Sequence, residues 1–199
     1  LGEESHSRYL RRGKGYGKLD MLSVGWDLNS VDGSGKLVHA EKPAWDGREF
    51  GRACAGCHAT GVDSKKQTFS AISIDCFACH GTVELGHTKD TRLVHLSKRR
   101  ADPPRVVASI CGQCHLSNDS AATLRGRRPD DFRPGQRLAE YRAHYILEGG
   151  GSNMTVVGHI EQLQKSRCYT QTTTLTCTTC HDPHRHLPKS EAAAVYRAK

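Results

Sequence analysis

The segment TCTTCHDPHRH, from Thr176 to His186, places two cysteines and three histidines within eleven residues. Three kinds of site use residues of these types at such density: a zinc site, a redox-active dithiol, or a point where a larger group is covalently attached. Each kind of site requires a different arrangement of cysteines elsewhere in the chain. The remaining cysteines therefore decide among the three interpretations.

The pattern Cys-x-x-Cys-His occurs four times in the 199 residues, and it contains eight of the nine cysteines. Histidine makes up only 12 of the 199 residues, so chance would place one after all four pairs with odds on the order of one in 10⁵. The four copies are CAGCH at Cys54–His58, CFACH at Cys76–His80, CGQCH at Cys111–His115 and CTTCH at Cys177–His181.

Covalent attachment of haem is the chemistry that requires a histidine directly after the second cysteine. A zinc site needs a second pair of ligands but has no use for histidine at that fixed position, and a thioredoxin-like dithiol needs only one motif. The cysteine runs typical of ferredoxins do not occur. In a c-type haem the two thiols bond to the vinyl groups and the adjacent imidazole binds the iron. We therefore predict four haem c groups, each with its iron, attached through Cys54, Cys57, Cys76, Cys79, Cys111, Cys114, Cys177 and Cys180, with His58, His80, His115 and His181 as proximal ligands.

The composition agrees with a chain that packs around large cofactors. Only 36% of the residues are hydrophobic and 6% are aromatic, which leaves little side-chain surface for a core of its own. The formal charge of +8 raises the question of nucleic-acid binding, but eight haem propionates would offset much of it and the basic residues are scattered. We expect no nucleic-acid partner. No run of eighteen apolar residues occurs, so we also expect no membrane span.

Eight histidines remain for the opposite face of the irons, whereas the chain has only two methionines. Mostly bis-histidine ligation, and hence a low reduction potential, is therefore predicted. His87 follows a glycine-bounded loop, His159 begins a helix with an apolar face, and Asp182-Pro183 turns His184 away from its own motif. These three are the predicted distal ligands. Further candidates are His39, His144 and His95, although packing or hydrogen bonding would equally explain His144; the remaining two, His6 and His186, are expected to be solvated.

The spacing of the motifs predicts how the chain is organised. Residues 1–53 form a haem-free segment with short β and turn elements, and residues 54–199 form the tetrahaem region. Helices are predicted at about 134–148, at about 159–168 and in the tail PKSEAAAVYRAK, where Ser190 is the expected N-cap. The predicted fold is one compact unit, mostly α and coil with little β, in which the haems pack as the core of a multihaem cytochrome c domain.

The motifs and their flanks resemble a known family over roughly residues 45–199. The segments WDGREFGRACAGCHATG, ISIDCFACHGTVELGH, SICGQCH and HIEQLQKSRCYTQTTTLTCTTCHDPH are similar to multihaem c-type cytochromes of the paired-CxxCH class. That class includes bacterial proteins in which such domains accompany tetratricopeptide repeats, and it is related to the tetrahaem electron acceptor of hydroxylamine oxidation. The resemblance implies that His184 and His87 ligate neighbouring haems, and that His159 is a recurring histidine upstream of SRCY.

The chain departs from the family pattern in two places. GTVELGH replaces the usual GPG start after the second motif, although its histidine is retained. The chain ends in VYRAK, where the relatives continue into a further CxxCH. We therefore expect either a segment of a longer protein or a lineage that has lost a haem.

The predicted function is electron transfer through closely spaced haems, between a redox protein donor and a redox protein acceptor, by a carrier rather than an enzyme. A variant of this prediction is a homo-oligomer or extracellular filament, a nanowire, in which a neighbouring subunit supplies a distal histidine. The alternative is a multihaem oxidoreductase with one open haem that acts on nitrite or hydroxylamine. Covalent haem attachment takes place outside the cytoplasm, so a periplasmic or extracellular location is expected.

Cys168 is the one cysteine outside the motifs. It would serve either in an intermolecular disulfide or as an extra ligand, or it would be a small apolar residue buried on the same helix face as Ile160. The interpretation as a buried small apolar residue is favoured.

Overall fold

The computed structural model describes residues 6–27, 35–38, 42–81, 99, 101–116, 120–145, 159–185 and 187–198. The chain divides into two compact units, Leu1–Ala78 and Cys79–Lys199. The division falls inside the second CxxCH motif, whereas the boundary expected from the first cysteine lies at residues 53–54.

A small antiparallel sheet forms the first part of unit 1. The strands are β1 (His6–Arg12), β2 (Leu19–Asp27), β3 (Lys36–Val38) and β4 (Trp45–Asp46), and β2 pairs with each of the others. Gly17, in the turn from β1 to β2, has φ of +68°, and a Cβ atom there would overlap the carbonyl oxygen of Phe69. Only glycine fits this close approach of two backbones.

The first CxxCH motif follows this sheet. A π-helical turn (Phe50–Cys54) runs into α1 (Ala55–His58), and β5 (Ala59–Thr60) then pairs with β6 (Ala71–Ile72). Below the motif lies a small core in which the Phe50 and Phe69 rings meet edge to face, with their centres 5.5 Å apart. This core holds the first motif against the sheet. The next helix, α2 (Cys76–His80), carries the second motif across the division between the units.

Unit 2 is a mixture of short helices and one β-hairpin-like pair. Its elements are α3 (Pro104–His115), β7 (Ser120–Thr123), a 3₁₀ turn (Leu138–Glu140), β8 (Arg142–Tyr145), α4 (His159–Lys165), α5 (Arg167–Gln171), α6 (Cys177–Cys180) and α7 (Lys189–Arg197). Phe132, Leu138 and Tyr141 form its buried cluster, and Leu116, just after α3, packs against them. This cluster therefore places the third motif, at the end of α3, beside the β7–β8 pair.

The predicted fold class is wrong. Of the described residues, 38% are helical and 23% are in strands, and several antiparallel sheets are present, so the fold is mixed rather than mostly α. The clearest error is the helix predicted at 134–148, where the chain forms a 3₁₀ turn and then β8, paired with β7.

The physical reason lies in the residues around Leu138. Gly135 has φ of +104°, which is incompatible with a helix at that point. Leu138 and Tyr141 are three residues apart, a spacing that aligns side chains in a 3₁₀ turn as well as in an α-helix. The backbone of β7 then supplies the hydrogen bonds that β8 needs. A partner distant in sequence overrode a local pattern.

The other helices differ from prediction only in detail. The helix expected at 159–168 is broken at Ser166, whose hydroxyl accepts a hydrogen bond of 3.1 Å from the Tyr169 N–H and so begins α5. The tail helix is present as α7, but it begins after Pro188 rather than at an N-cap on Ser190. The sequence-based interpretation missed α3, although Pro104 at its first position is a typical helix start.

None of the helices in the described part of the chain is long and apolar enough to cross a membrane, in agreement with the prediction of no membrane span.

Candidate haem sites

All four CxxCH motifs have the same local form, a single helical turn. The motifs lie at the junction of the π-helical turn with α1, on α2, in the last turn of α3 and on α6 with His181 directly after it. Residues at positions i, i+3 and i+4 share one face of a helix. Each turn can therefore present two thiols and one imidazole to the same side, which is what covalent attachment and ligation of one haem require.

Local hydrogen bonds stabilise turns that are too short to be stable alone. At the second motif the Asp75 carboxylate accepts a hydrogen bond of 2.9 Å from the Phe77 N–H, and the Asp75 N–H donates to the Thr60 hydroxyl at 3.0 Å. At the fourth motif the Thr179 hydroxyl accepts from the Thr176 N–H at 3.0 Å. The residue before each of these motifs thus begins its helical turn.

The histidine of the second motif faces a histidine that follows the fourth. The ring centres of His80 and His184 are 6.0 Å apart, and the ring planes are inclined by 21°. Asp182 positions His184: one carboxylate oxygen accepts a hydrogen bond of 3.0 Å from the His184 N–H and lies 3.6 Å from its Nδ1. The DPH sequence therefore forms an Asx turn that leaves Nε2 of His184 pointing away from the carboxylate.

The histidine of the third motif has a similar neighbour. The ring centres of His115 and His159 are 5.2 Å apart, with planes inclined by 15°. His159 is the first residue of α4, and Ile160 beside it is only 4% exposed. The buried isoleucine fixes the start of α4, and this start places the imidazole opposite the end of α3.

The two histidine pairs bring together the residue type that ligates haem iron. Two imidazoles bound to one metal through bonds of about 2 Å have ring centres about 6 Å apart. The separation of 6.0 Å between His80 and His184 is close to this value, whereas His115 and His159, at 5.2 Å, lie closer together than two imidazoles on one metal would. In both pairs the ring planes are nearly parallel, in a stacked arrangement. Within the described ranges no group of three or more His, Cys, Asp or Glu side chains could hold a metal ion.

The thiols of three different motifs lie close together in unit 2. Cys111 of α3 and Cys177 of α6 form a side-chain hydrogen bond, which raises the pKa of Cys111 and lowers the pKa of Cys177 to about 7. The charge of Cys79 also contributes to raising the pKa of Cys111. None of the nine cysteines, all of which are described, is in a disulfide. One thiol from each of the second, third and fourth motifs therefore lies in this group.

The first motif lies in unit 1. Burial, followed by the charge of Glu49, raises the pKa of the Cys54 thiol, and its side chain packs against the Phe50 core. His58 is exposed, and its carbonyl oxygen accepts a hydrogen bond of 2.9 Å from the Ser73 N–H. The imidazole is thus carried on backbone that β5 and β6 hold in place.

His144, one of the further candidates, lies on β8 opposite Ala121 and is half-buried. Burial and the nearby Arg142 lower its pKa, while the carboxylate of Glu161 on α4 acts in the opposite direction. The structure therefore places His144 near α4. His39, His87 and His95 lie outside the described residues, and their role as ligands stays a prediction.

Two further outcomes concern single residues. The expected burial of Cys168 beside Ile160 is wrong, because the side chain is exposed and the break at Ser166 separates α5 from the apolar face of α4. The sequence-based interpretation also missed the carboxylate of Asp182 as an orienting group for His184. Its signal was the aspartate two residues before the histidine, the spacing of an Asx turn.

No protein-family model, curated protein or solved structure matches the chain.

Proposed function

We propose that this chain transfers electrons through four covalently attached c-type haems. The observation that carries the proposal is the pairing of imidazoles, His80 with His184 and His115 with His159. In each pair a CxxCH histidine lies beside a histidine whose sequence context predicts a distal ligand. Histidines without a shared role would not be expected to pair in this way at two separate motifs.

The side chains divide the work of binding. The two thiols of each helical turn would hold the macrocycle in place, and the histidine of the turn would bind the iron. His184 and His159 would be the second protein ligands at the second and third motifs. A haem iron with two imidazole ligands exchanges electrons without releasing a ligand. Because two histidines would bind the iron at each of these two motifs, the arrangement favours an electron carrier over an enzyme.

The convergence of Cys79, Cys111 and Cys177 supports a relay. Thioether bonds are short, so groups attached at neighbouring thiols must themselves be neighbours. Closely spaced haems pass electrons to one another, and this matches a function between a donor and an acceptor. The periplasmic or extracellular location follows from the chemistry of attachment and stays a prediction.

The proposal is tested by producing the chain in a bacterial periplasm that attaches haem c. Intact mass under denaturing conditions should show the polypeptide plus four haems, and the absorption and EPR spectra should show low-spin iron. A chain without added haem mass would reject the proposal. One high-spin iron that binds carbon monoxide would instead favour the alternative, an oxidoreductase acting on nitrite or hydroxylamine.

A matched pair of variants assigns the haems to the motifs. Replacement of both cysteines of the third motif, Cys111→Ala with Cys114→Ala, should lower the count from four haems to three. Cys168→Ala removes an exposed cysteine outside the motifs and should leave the count at four. A loss of haem from the second variant would contradict the assignment.

The filament variant of the proposal has its own signature. If a neighbouring subunit supplies a distal histidine, dilution of the oligomer should convert one low-spin iron to a high-spin one. A spectrum independent of concentration would exclude shared ligation.

A further inference from the structure

A groove of about 450 Å³ lies in unit 1 between the β1–β2 turn and the segment that leads into β6. Its apolar surface comes from Leu19, Phe69 and Ile72, and its charged groups are Arg12 and Lys18. The volume is within the range of about 300–1,000 Å³ that small-molecule and cofactor sites usually have. None of the candidate haem residues that the structure describes lines it, so the site described above does not account for it.

Hydrogen bonds fix the two walls of the groove. The Phe69 N–H donates to the Gly17 carbonyl at 3.0 Å, and the Tyr16 hydroxyl donates to the Ser70 carbonyl at 2.7 Å. The positive φ of Gly17 permits this approach. The groove is therefore a formed feature of the unit rather than a gap between loose loops.

The lining selects a flat apolar body that carries negative charge. Leu19, Phe69 and Ile72 offer an apolar surface, and among the described residues that line the groove Arg12 and Lys18 are the charged ones. Arginine and lysine both bind carboxylates, arginine through two parallel hydrogen bonds. Two cations beside an apolar surface match a ring system whose edge bears two carboxylates.

The groove adjoins the first CxxCH motif. Ile72 is paired with Ala59, the residue that follows His58, and the Ser73 N–H binds the His58 carbonyl. Leu19 and Phe69 also belong to the apolar cluster against which Cys54 packs. The residues that line the groove therefore also pack or pair with residues of the first motif, within the same unit.

Resting on the function proposed above, we propose that this groove receives the carboxylate edge of the haem attached at Cys54 and Cys57, and that Arg12 and Lys18 pair with its two propionates. The attachment at the first motif keeps the macrocycle near the groove at all times. The first haem site would then have a charged environment, which the sequence pattern alone did not indicate.

The inference is tested with the double variant Arg12→Gln and Lys18→Gln in the haem-loaded protein. Loss of two positive charges beside one iron makes the addition of an electron less favourable, so the midpoint potential of one haem should fall while the other three stay unchanged. Spectroelectrochemical titration measures the four potentials. The haem count by mass should remain four, which separates this result from a failure of the proposed function.

Three controls sharpen the experiment. Arg48→Gln with Lys65→Gln removes the same charge from exposed positions of unit 1 outside the groove and should leave all potentials unchanged. The charge-conserving exchange Arg12→Lys with Lys18→Arg should restore the potential. The shift should also persist in 0.5 M salt, where the screening length is roughly 4 Å and effects through solvent are lost.

Several results would overturn the inference. Unchanged potentials in the double variant, or an equal fall of all four, would show that the two cations do not face one haem. Saturable binding of free 1,5-naphthalenedisulfonate to the wild-type protein, abolished in the double variant, would show that the groove is open to solutes instead. If the double variant does not fold, the single variants should each lower the same potential by a smaller amount, and unchanged single variants would equally overturn the inference.

Discussion

His184 and His159 are each positioned by their immediate neighbours, and each faces a histidine from a distant motif. Asp182 turns the backbone that carries His184, and the buried Ile160 fixes the start of the helix that carries His159. Both histidines were expected to be distal ligands from their local sequence. Which CxxCH histidine each would face was not predictable, because that depends on how α3, α4 and the fourth motif pack.

Removal of His184 should open one axial position. In His184→Ala we expect one of the four low-spin irons to become high-spin and to bind carbon monoxide, because the opposed imidazole of His80 is then the only protein ligand. Difference spectra with carbon monoxide, together with EPR spectra, measure the fraction of iron that is high-spin and binds carbon monoxide. Arg185→Ala, at an exposed neighbouring position, serves as the control and should bind none. Four low-spin irons in His184→Ala would contradict the pairing.

Asp182 should act through His184. A carboxylate beside the free nitrogen of a ligating imidazole makes the ligand more basic, which favours ferric iron. Asp182→Ala and Asp182→Asn should therefore both raise the potential of one haem. Asparagine keeps the Asx turn, so only the alanine variant should also bind some carbon monoxide. A lowered potential in either variant would be inconsistent with this role.

The helical turns that carry the motifs are four or five residues long, except for α3, and at α2 and α6 the preceding residue is hydrogen-bonded to the first turn. Isolated turns of this length are unstable in water. Their caps and the strands beside them therefore supply the stability.

Asp75 is the cap that begins α2. Asp75→Ala should lower the free energy of unfolding by about 1 kcal/mol, because the Phe77 N–H loses its partner. Urea unfolding followed by circular dichroism measures the change. Asp75→Asn keeps an acceptor at the same place and should remain within a few tenths of a kcal/mol of the wild type, about the spread among good caps. Equal losses in both variants would argue against a capping role.

The β1–β2 turn offers a matched pair of glycines. Gly15 and Gly17 both have positive φ, but a Cβ atom meets nothing within 4 Å at Gly15 and overlaps the Phe69 carbonyl at Gly17. Gly15→Ala should cost about 1–2 kcal/mol of stability from backbone strain alone. Gly17→Ala adds the steric overlap and should cost about 3 kcal/mol or more. Thermal unfolding of the two variants compares them, and equal costs would show that the close approach is not important.

The molecule as a whole buries few hydrophobic side chains. Only nine hydrophobic residues among those described are buried, and seven of them form two small clusters. Cores of this size leave a chain of about 200 residues short of stabilisation. Large apolar groups attached at the motifs would supply the missing contacts.

The charge of the whole molecule should report the attached groups. Each ferric haem adds two propionates and one positive core charge, so four of them lower the formal +8 to about +4. Isoelectric focusing in urea, where covalent haem stays attached, should therefore place the loaded chain below the haem-free chain, which is expected near its sequence value of about 9.1. Identical positions would mean that no haem is bound.

The candidate attachment residues were recognisable from the sequence alone, because two thiols and an imidazole at positions i, i+3 and i+4 need only one helical turn. The same locality made His184 and His159 recognisable as candidate ligands. Tertiary structure decided the rest: the β7–β8 pair in place of a helix, the partners of the two histidines and the groove beside the first motif. Each of these depends on contacts between segments distant in sequence, and the pattern of residues within one segment does not encode its partner.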